Sequence, residues 1–85
     1  MTQEDELLRR ITVRPDVFGG KPIIRDMRIA VEHVLANLAA GETIDGLLDN
    51  YPFLEMDDIR ACFLFAHRSL CGEHVHDRIA VRKAS

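Results

Sequence analysis

Cationic side chains gather in the stretch FGGKPIIRDMRIAV, which carries Lys21, Arg25 and Arg28. A guanidinium group binds a phosphate or a carboxylate through two parallel hydrogen bonds, so this stretch favours anion binding over acid–base catalysis. We expect the two arginines to project from a hairpin tip without a carboxylate partner, where they can bind an anion such as DNA. The alternative is that they pair with acids of the same chain, for example Glu32 or Asp49.

The turn that carries these arginines is predicted from the aliphatic residues on both sides of Asp26 and Met27. With a two-residue turn, Arg25 lies directly opposite Arg28. The pairs behind them are then Ile24 with Ile29 and Ile23 with Ala30. Because Met27 fits poorly at a position that requires a positive φ, a longer turn is the alternative.

A second group of cations lies on the last predicted helix, at about residues 56–70. At about 100° per residue, Arg60, His67 and Arg68 form one stripe on its outer side. Such a stripe contacts DNA phosphates or base edges when the helix lies in the major groove. A helix face exposed only to solvent has the same pattern, so both interpretations stay open.

Residues of the types found in metal sites and catalytic sites are sparse. Cys71, His74 and His76 supply three potential zinc ligands, but the sequence offers no obvious fourth. No serine, cysteine or histidine has the context of a catalytic nucleophile, and the acids are not gathered into a recognisable pocket. We therefore predict no catalytic residue, no metal, no cofactor and no small-molecule substrate.

The charges are segregated along the chain, although the net charge is only −3. Residues 1–8 carry −3, residues 9–28 carry +4 and residues 60–85 carry +3, whereas residues 29–59 carry −7 without a single Lys or Arg. Because local potential attracts an anion, the two basic blocks remain candidates for DNA contact. The alternative is that the blocks neutralise one another within the fold or across a dimer.

The length of 85 residues predicts one domain at residues 10–70, with an N-terminal extension at 1–9 and a tail or extra strand at 71–85. Because a chain of this length buries only a small core, the stability of a monomer is expected to be marginal. We therefore expect a homodimer. The chain has no apolar run of membrane-spanning length and no signal-peptide pattern, which predicts a cytoplasmic protein without membrane contact. In that compartment Cys62 and Cys71 are predicted to be free thiols.

The periodicity predicts a mainly α fold with β elements at residues 10–31. Residues 11–13 form a short edge strand that ends at Pro15, and hairpin arms follow at 23–25 and 28–31. Three amphipathic helices are predicted at about residues 31–40, 43–51 and 56–70. Two shorter helices, a short turn and a longer helix are the layout of a trihelical, homeodomain-like helix-turn-helix core.

Three glycines and one helix cap are interpreted as structural features. Thr43 is expected to cap the second helix. Gly46 inside that helix costs about 1 kcal/mol relative to Ala, which we attribute to close approach of a neighbouring backbone. Gly19 and Gly20 lack the spacing of a phosphate-binding loop, and we interpret them in the same way.

The last predicted helix carries more apolar bulk than one small core requires. One broad face of this helix is predicted to carry Ile59, Cys62, Phe63, Phe65, Ala66 and Leu70. The adjacent residues Phe63, Leu64 and Phe65 spread apolar surface around most of the helix. We therefore predict that these three form an interface with a second copy or with a partner protein.

Residues 15–66 resemble, in unbroken order, a prokaryotic family catalogued as domain of unknown function 433 (DUF433). The most specific segments are GGKP at 19–22 and RDMRI at 25–29. The resemblance implies a dimeric protein with a homeodomain-like core behind β elements. It also implies an antitoxin role beside a PIN-like ribonuclease toxin, with binding to its own operator DNA. The chain departs from the family pattern at residues 26–27, where the family usually has Gly-Thr, and at 55–56, where Thr-Pro or Ser-Pro is usual.

Two functional hypotheses follow. The leading one is a non-enzymatic, dimeric, DNA-binding antitoxin that regulates its own operator, with the acidic block engaging the toxin. Its DNA-contacting residues are predicted to be Lys21, Arg25, Arg28, Arg60, His67 and Arg68. The alternative is a protein-interaction module that dimerises and binds a partner protein without binding DNA.

Overall fold

Residues 2–72, the part of the chain that the computed structural model describes, contain four α-helices, a short 3-10 helix at Phe18–Gly20 and two short strands. The helices are α1 (Gln3–Leu8), α2 (Val31–Ala39), α3 (Ile44–Asn50) and α4 (Met56–Cys71), and the strands are β1 (Ile11–Val13) and β2 (Pro22–Ile24). The mainly α fold with N-terminal strands is confirmed at this level. The tail or extra strand was expected at residues 71–85. From residue 73 onward it lies outside the described residues. No helix among residues 2–72 is long and apolar enough to span a membrane.

The two strands form an antiparallel sheet. The register pairs Ile11 with Ile24, Thr12 with Ile23 and Val13 with Pro22. Ala30 joins this sheet through a single bridge to Ile23, and the Ile24 N–H donates to the Ile29 carbonyl at 3.1 Å. These two pairings are the ones expected behind the hairpin tip. The second predicted arm, however, contributes no more than this bridge, because α2 begins at Val31.

The loop after β2 spans the four residues 25–28 between the paired Ile24 and Ile29, so it is longer than the predicted two-residue turn at Asp26 and Met27. The Met27 N–H donates to the Ile24 carbonyl at 2.8 Å, so Arg25 and Asp26 are the central residues of the turn. Both have left-handed backbones, with φ of 45° and 59°, as in a type I′ turn. Arg25 therefore lies within the turn and not opposite Arg28, and the prediction of facing arginines is wrong.

The main core lies where β2, α2, α3 and α4 meet. Its buried residues are Ile24, Ile29, Val31, Val34, Leu47, Leu54, Ile59 and Cys62. Burial of each large aliphatic side chain contributes roughly 1.5–3 kcal/mol, so this cluster is the main source of stability. At the start of α3, the Thr43 hydroxyl accepts from the Gly46 N–H at 3.0 Å, which confirms the predicted cap.

The buried side of α4 differs from the predicted one. The helix buries Asp58, Ile59, Ala61 and Cys62. Phe63 is 45% exposed and Leu70 is 59% exposed, so the broad apolar face predicted to include both is not buried along its whole length. Hydropathy alone predicts that a charged residue such as Asp58 is exposed. Its ion pairs with Arg10 and Arg25 allow it to be buried, so the side of α4 that carries Asp58 faces the core.

A short helix occupies the segment that was predicted only as an N-terminal extension. Thr2 and Asp5 form a reciprocal capping box at its start, with hydrogen bonds of 3.1 and 3.3 Å. Leu7 is buried, and Glu4 lies 2.6 Å from the Arg68 guanidinium. The helix α1 therefore packs against the outer side of α4.

Close backbone packing was predicted at Gly19, Gly20 and Gly46, and this prediction is wrong. A Cβ added at Gly19 or Gly20 meets nothing within 4 Å, and these residues are instead required by their positive φ angles of 64° and 87°. A Cβ at Gly46 would lie 2.1 Å from Glu42 Oε1, which is the end of an exposed, flexible side chain and not a backbone atom.

Candidate functional site

An ion cluster at the N-terminal end of α4 is centred on Asp58, which is 0% exposed. Arg25 donates from Nε to Asp58 Oδ1 at 3.0 Å and from Nη2 to Oδ2 at 2.7 Å. Arg10 donates from Nη1 to the same Oδ1 at 3.0 Å and to Glu55 Oε1 at 2.7 Å. Arg25 Nη2 also donates to the Phe53 carbonyl at 2.8 Å. One buried carboxylate thus joins the residue before β1, the turn after β2 and the first turn of α4.

The protonation equilibria follow from these contacts. Burial by itself raises the pKa of Asp58. Hydrogen bonds from Arg25, the Glu55 N–H and Arg10 outweigh that effect, so the pKa of this carboxyl lies below its ordinary 3.8. The hydrogen bond to Asp58 raises the pKa of Arg25, and those to Glu55 and Asp58 raise the pKa of Arg10. Asp58, Arg25 and Arg10 are therefore all ionised at neutral pH.

The expectation that Arg25 projects freely toward an anion is wrong. Its guanidinium is occupied by the Asp58 carboxylate and the Phe53 carbonyl. Moving Arg25 onto a phosphate would leave a buried carboxylate short of a partner, which is costly. Pairing within the chain is therefore the correct alternative, although the partner is neither Glu32 nor Asp49.

Three other predicted DNA contacts also lie against acids of the same chain. Lys21 pairs with Glu32, Arg60 with Asp57 at 3.2 Å and Arg68 with Glu4 at 2.6 Å. The hydrogen bond from Lys21 lowers the pKa of Glu32. Exposed pairs such as these are weak and are screened by salt. They reduce the local positive potential without fixing the side chains.

Arg28 differs, since no carboxylate among residues 2–72 lies within ion-pair distance of it. It lines a cleft of about 370 Å³ beside Tyr51 and Phe53, whose rings make an edge-to-face contact at 5.8 Å. Arg60 and Arg68 line two other, separate clefts. The predicted cations therefore do not converge on one cleft.

The predicted interface residues have three different environments. Phe63 is 45% exposed at the edge of a cleft of about 380 Å³ between α1 and α4. Leu64 is half-buried and lines the same cleft, next to Leu7. Phe65 is half-buried and packs against the main core. Of the three, Phe63 retains the largest apolar surface for a partner, and Leu70, two helical turns further on, adds to it.

The acidic block separates into two sets. Four of its members are paired with cations, namely Glu32, Glu55, Asp57 and Asp58. The remaining three, Glu42, Asp45 and Asp49, are exposed in and beside α3, and no ion pair to them occurs within the described part of the chain. Asp45 and Asp49 are four residues apart, which places two like charges on one face of α3.

Both cysteines are free thiols, as predicted. Burial, together with the nearby Asp58 charge, raises the pKa of Cys62 to about 12, so this thiol is unreactive. Cys71 is exposed, and His67 Nε2 lies 3.6 Å from its Sγ. Within the described residues, no three His, Cys, Asp or Glu side chains are arranged to hold a metal ion. His74 and His76, the other members of the predicted trio, lie outside those residues.

Sequence reasoning missed two members of the ion cluster, Asp58 and Arg10. Asp58 precedes Ala61 and Cys62 by three and four residues, so it lies on the apolar stripe of α4. An acid on such a stripe indicates a buried partner, and this signal was available in the sequence. Arg10 offered no comparable signal, because the carboxylate it binds is 48 residues away.

Two known proteins are similar to this chain, one in structure and one in sequence. A DUF433 member protein from Anabaena variabilis ATCC 29413, whose crystal structure is known, has a TM-score of 0.68 and 26% identity, over 100% of this chain and 87% of that chain. The uncharacterized protein y4eO of Sinorhizobium fredii is 36% identical over 56 residues, which are 66% of this chain and 25% of that protein. The chain therefore spans about a quarter of the length of this curated relative.

A family profile described as "Protein of unknown function (DUF433)" matches residues 11–66. The matched region contains both strands, α2, α3 and most of α4, together with Arg25 and Asp58, whereas α1 lies before it. Since this region is well over half of the chain and the solved relative has the same fold, the chain belongs to the DUF433 family.

Proposed function

We propose that this chain is a cytoplasmic, non-enzymatic protein-interaction module that self-associates and binds a partner protein without binding DNA. The observation that carries the proposal is the pairing of Arg25 with buried Asp58, because it makes the most prominent predicted DNA contact unavailable to phosphate. Of the other predicted contacts, Lys21, Arg60 and Arg68 have acids of the same chain beside them.

The scaffold of the proposed module is a homeodomain-like trihelical core formed by α2, α3 and α4. This arrangement is supported by the short connections at residues 40–43 and 51–55 and by a core to which all three helices contribute. In a DNA-binding protein of this type, α4 would lie in the major groove. Here α1 packs on α4, with Leu7 buried and Glu4 on Arg68, which favours protein contacts over groove entry.

The proposed surface for self-association is a second, exposed apolar stripe of α4, defined as Phe63, Ala66 and Leu70, apart from the buried side that carries Asp58. These residues follow the three-four spacing by which two helices pack together. Phe63 and Leu70 are 45% and 59% exposed and lie on one face of the helix, so together they form an apolar surface that a partner can cover. Covering them would add burial to a core that is small for an independent domain.

The test of self-association is the mass in solution, measured by light scattering over a range of concentrations. We expect a dimer for the wild type and a monomer for Leu70→Glu, because the introduced charge would be buried at the interface. Ser69→Glu is the matched control, since Ser69 is exposed on the same helix but lies about 100° around the helix axis from Leu70, outside the stripe. A wild-type monomer, or an equal loss of mass in both variants, contradicts the proposal.

The proposed partner is a basic protein that binds the unpaired acids of α3. Asp45 and Asp49 repel each other, and a cationic surface would relieve that repulsion. A ribonuclease carries such a surface where it binds RNA. We therefore propose the antitoxin role, beside a PIN-like ribonuclease, as the specific form of this module.

The test is co-purification with the product of a PIN-like reading frame that adjoins the gene. We expect Asp45→Lys with Asp49→Lys to abolish the complex, whereas Glu6→Lys, at an exposed acid of α1, leaves it intact. Equal binding by all three chains contradicts the proposed acidic contact. A native genome without such a reading frame removes the antitoxin form of the proposal but not the interaction module.

A further inference from the structure

The cleft that contains Arg28 is not used by the proposed function. It has a volume of about 370 Å³ and lies beside the exposed side of α2, next to the segment that joins α3 to α4. This volume is in the range of sites that bind small ligands. Neither the apolar stripe of α4 nor the unpaired acids of α3 contribute a residue to it. A function of this cleft is therefore independent of the two proposed protein contacts.

Arg28 gives the cleft a positive charge that the rest of the described chain does not neutralise. No carboxylate among residues 2–72 lies within ion-pair distance of it, and no Asp or Glu lines the cleft. The guanidinium can therefore form two parallel hydrogen bonds with a phosphate or a carboxylate without breaking an existing ion pair. This distinguishes Arg28 from Arg25, which is bound to Asp58.

The ring of His33 is held in position in the same cleft. Its Nδ1 accepts a hydrogen bond from the Ala30 N–H at 3.3 Å, and the ring of Phe18 contacts it edge to face at a centroid distance of 5.1 Å. Because Nδ1 is an acceptor here, the proton of the neutral imidazole lies on Nε2, which is then a donor. The cleft thus contains a second donor for an anion, and its orientation is fixed before a ligand binds.

Asn37 and two aromatic rings supply the remaining chemistry. The Asn37 amide donates one hydrogen to the His33 carbonyl at 2.7 Å, which leaves its other hydrogen and its Oδ1 for a ligand. The rings of Tyr51 and Phe53 lie 5.8 Å apart with their planes inclined by 74°, so they form two walls of an apolar corner. Phe53 is 49% exposed. A flat ring can stack on one wall and contact the other.

We propose that this cleft binds a nucleoside monophosphate. The phosphate would accept hydrogen bonds from Arg28 and from Nε2 of His33, and the base would pack against Tyr51 and Phe53, as bases do on aromatic side chains of proteins that bind single strands. The free amide groups of Asn37 can pair with the edge of the base. No Asp, Glu or Cys lines the cleft, so the proposal concerns binding and not a reaction.

A single nucleotide fits this chemistry better than the other anions that a guanidinium binds. Inorganic phosphate has no ring to cover the aromatic corner, and a nucleoside has no charge for Arg28. An aromatic carboxylate has both a ring and a charge, but no polar base edge for Asn37. In duplex DNA the bases are stacked on one another, so none is available to the corner formed by Tyr51 and Phe53. The proposal is therefore compatible with a chain that does not bind duplex DNA.

The experiment titrates the full chain with the monophosphates of adenosine, guanosine, cytidine and uridine, followed by amide chemical shifts in NMR spectra. The nucleoside of the tightest monophosphate, inorganic phosphate and phenylacetate are titrated in parallel. We expect at least one monophosphate to bind about 10-fold or more tightly than these three compounds, because it alone engages both the cation and the aromatic corner. Shift changes should be centred on His33, Asn37 and Phe53. The proposal is overturned if no monophosphate binds at millimolar concentrations, if phosphate or phenylacetate binds as tightly, or if the shifts lie elsewhere.

Variants test the two halves of the cleft. Arg28→Ala and Phe53→Ala should each weaken binding of that monophosphate by about 10-fold. Arg9→Ala is the matched control, because it removes the same charge from an exposed arginine that does not line the cleft, and it should leave the affinity unchanged. An equal loss in Arg9→Ala, or unchanged affinity in Arg28→Ala or Phe53→Ala, overturns the proposal. Circular dichroism checks the fold of each variant, and Phe53→Leu, which keeps apolar bulk without the ring, replaces Phe53→Ala if that chain is unfolded.

Discussion

The Arg25 guanidinium holds the Asp58 carboxylate through two parallel hydrogen bonds, of 3.0 and 2.7 Å, across 33 residues of sequence. This contact explains why an arginine occupies a left-handed turn position, with φ 45°, at a cost of about 1 kcal/mol. Two further hydrogen bonds hold the same turn, from the Arg25 N–H to the Arg10 carbonyl at 2.7 Å and from the Asp26 N–H to the Thr12 hydroxyl at 2.9 Å. The turn therefore directs Arg25 inward, toward α4.

Removing the charge of Asp58 should destabilise the fold strongly. In Asp58→Asn the amide group presents donors to two arginines that can only donate, so we expect a loss of about 3 kcal/mol in the free energy of unfolding. Urea denaturation followed by circular dichroism measures this loss. The control is Asp57→Asn, next to it in sequence and 48% exposed, which should cost less than about 1 kcal/mol. Equal losses in the two variants would show that the buried cluster contributes no more than a surface ion pair.

The same carboxylate should make stability depend on pH in the acid range. Because the pKa of Asp58 is lower in the folded protein than its ordinary 3.8, the folded state binds fewer protons than the unfolded state below that pH. Its contribution is complete above about pH 4 and is lost as the pH falls through the lowered pKa. We expect the urea midpoint of the wild type to fall more steeply below pH 4 than that of Asp58→Asn. Parallel curves would contradict the assignment.

Two glycine substitutions should have opposite effects. Gly46→Ala places a better helix former inside α3, and only the flexible Glu42 side chain and a small shift of Thr43 must make room, so we expect a gain of about 0.5 kcal/mol. Gly41→Ala should cost about 1 kcal/mol, because Gly41 ends α2 with φ 105°, where a Cβ is strained. Thermal unfolding measures both. A loss in Gly46→Ala as large as that in Gly41→Ala would show that the interior of α3 is tightly packed.

The helices α2, α3 and α4 could be predicted from sequence because each has an apolar stripe of helical period. The bridge between Ile23 and Ala30 followed from the alternation of aliphatic residues around the turn. The helix α1 is only six residues long and was not predicted, since so short a segment has too few apolar positions to show a period.

The site was less predictable than the fold, for a physical reason. Sequence shows which side chains are charged, but not which of them will meet. Arg25 was expected to be unpaired for two reasons. Its partner Asp58 lies on a different element, and the hydropathy of an aspartate predicts that it is exposed and not buried. Lys21, Arg60 and Arg68 could be identified as exposed cations, but their pairing depends on how the elements pack.

The central claim is that cations neutralised within the chain leave a module that contacts proteins and not DNA. The most direct test is fluorescence anisotropy of the full chain with its own upstream DNA, at salt concentrations from about 50 to 200 mM. We predict no binding tighter than the non-specific range of about 10⁻⁴–10⁻⁶ M, and no difference between wild type and Arg28→Ala. Tight binding that weakens steeply with salt, with a slope reduced by Arg28→Ala or Arg60→Ala, would contradict the account and restore the DNA-binding antitoxin.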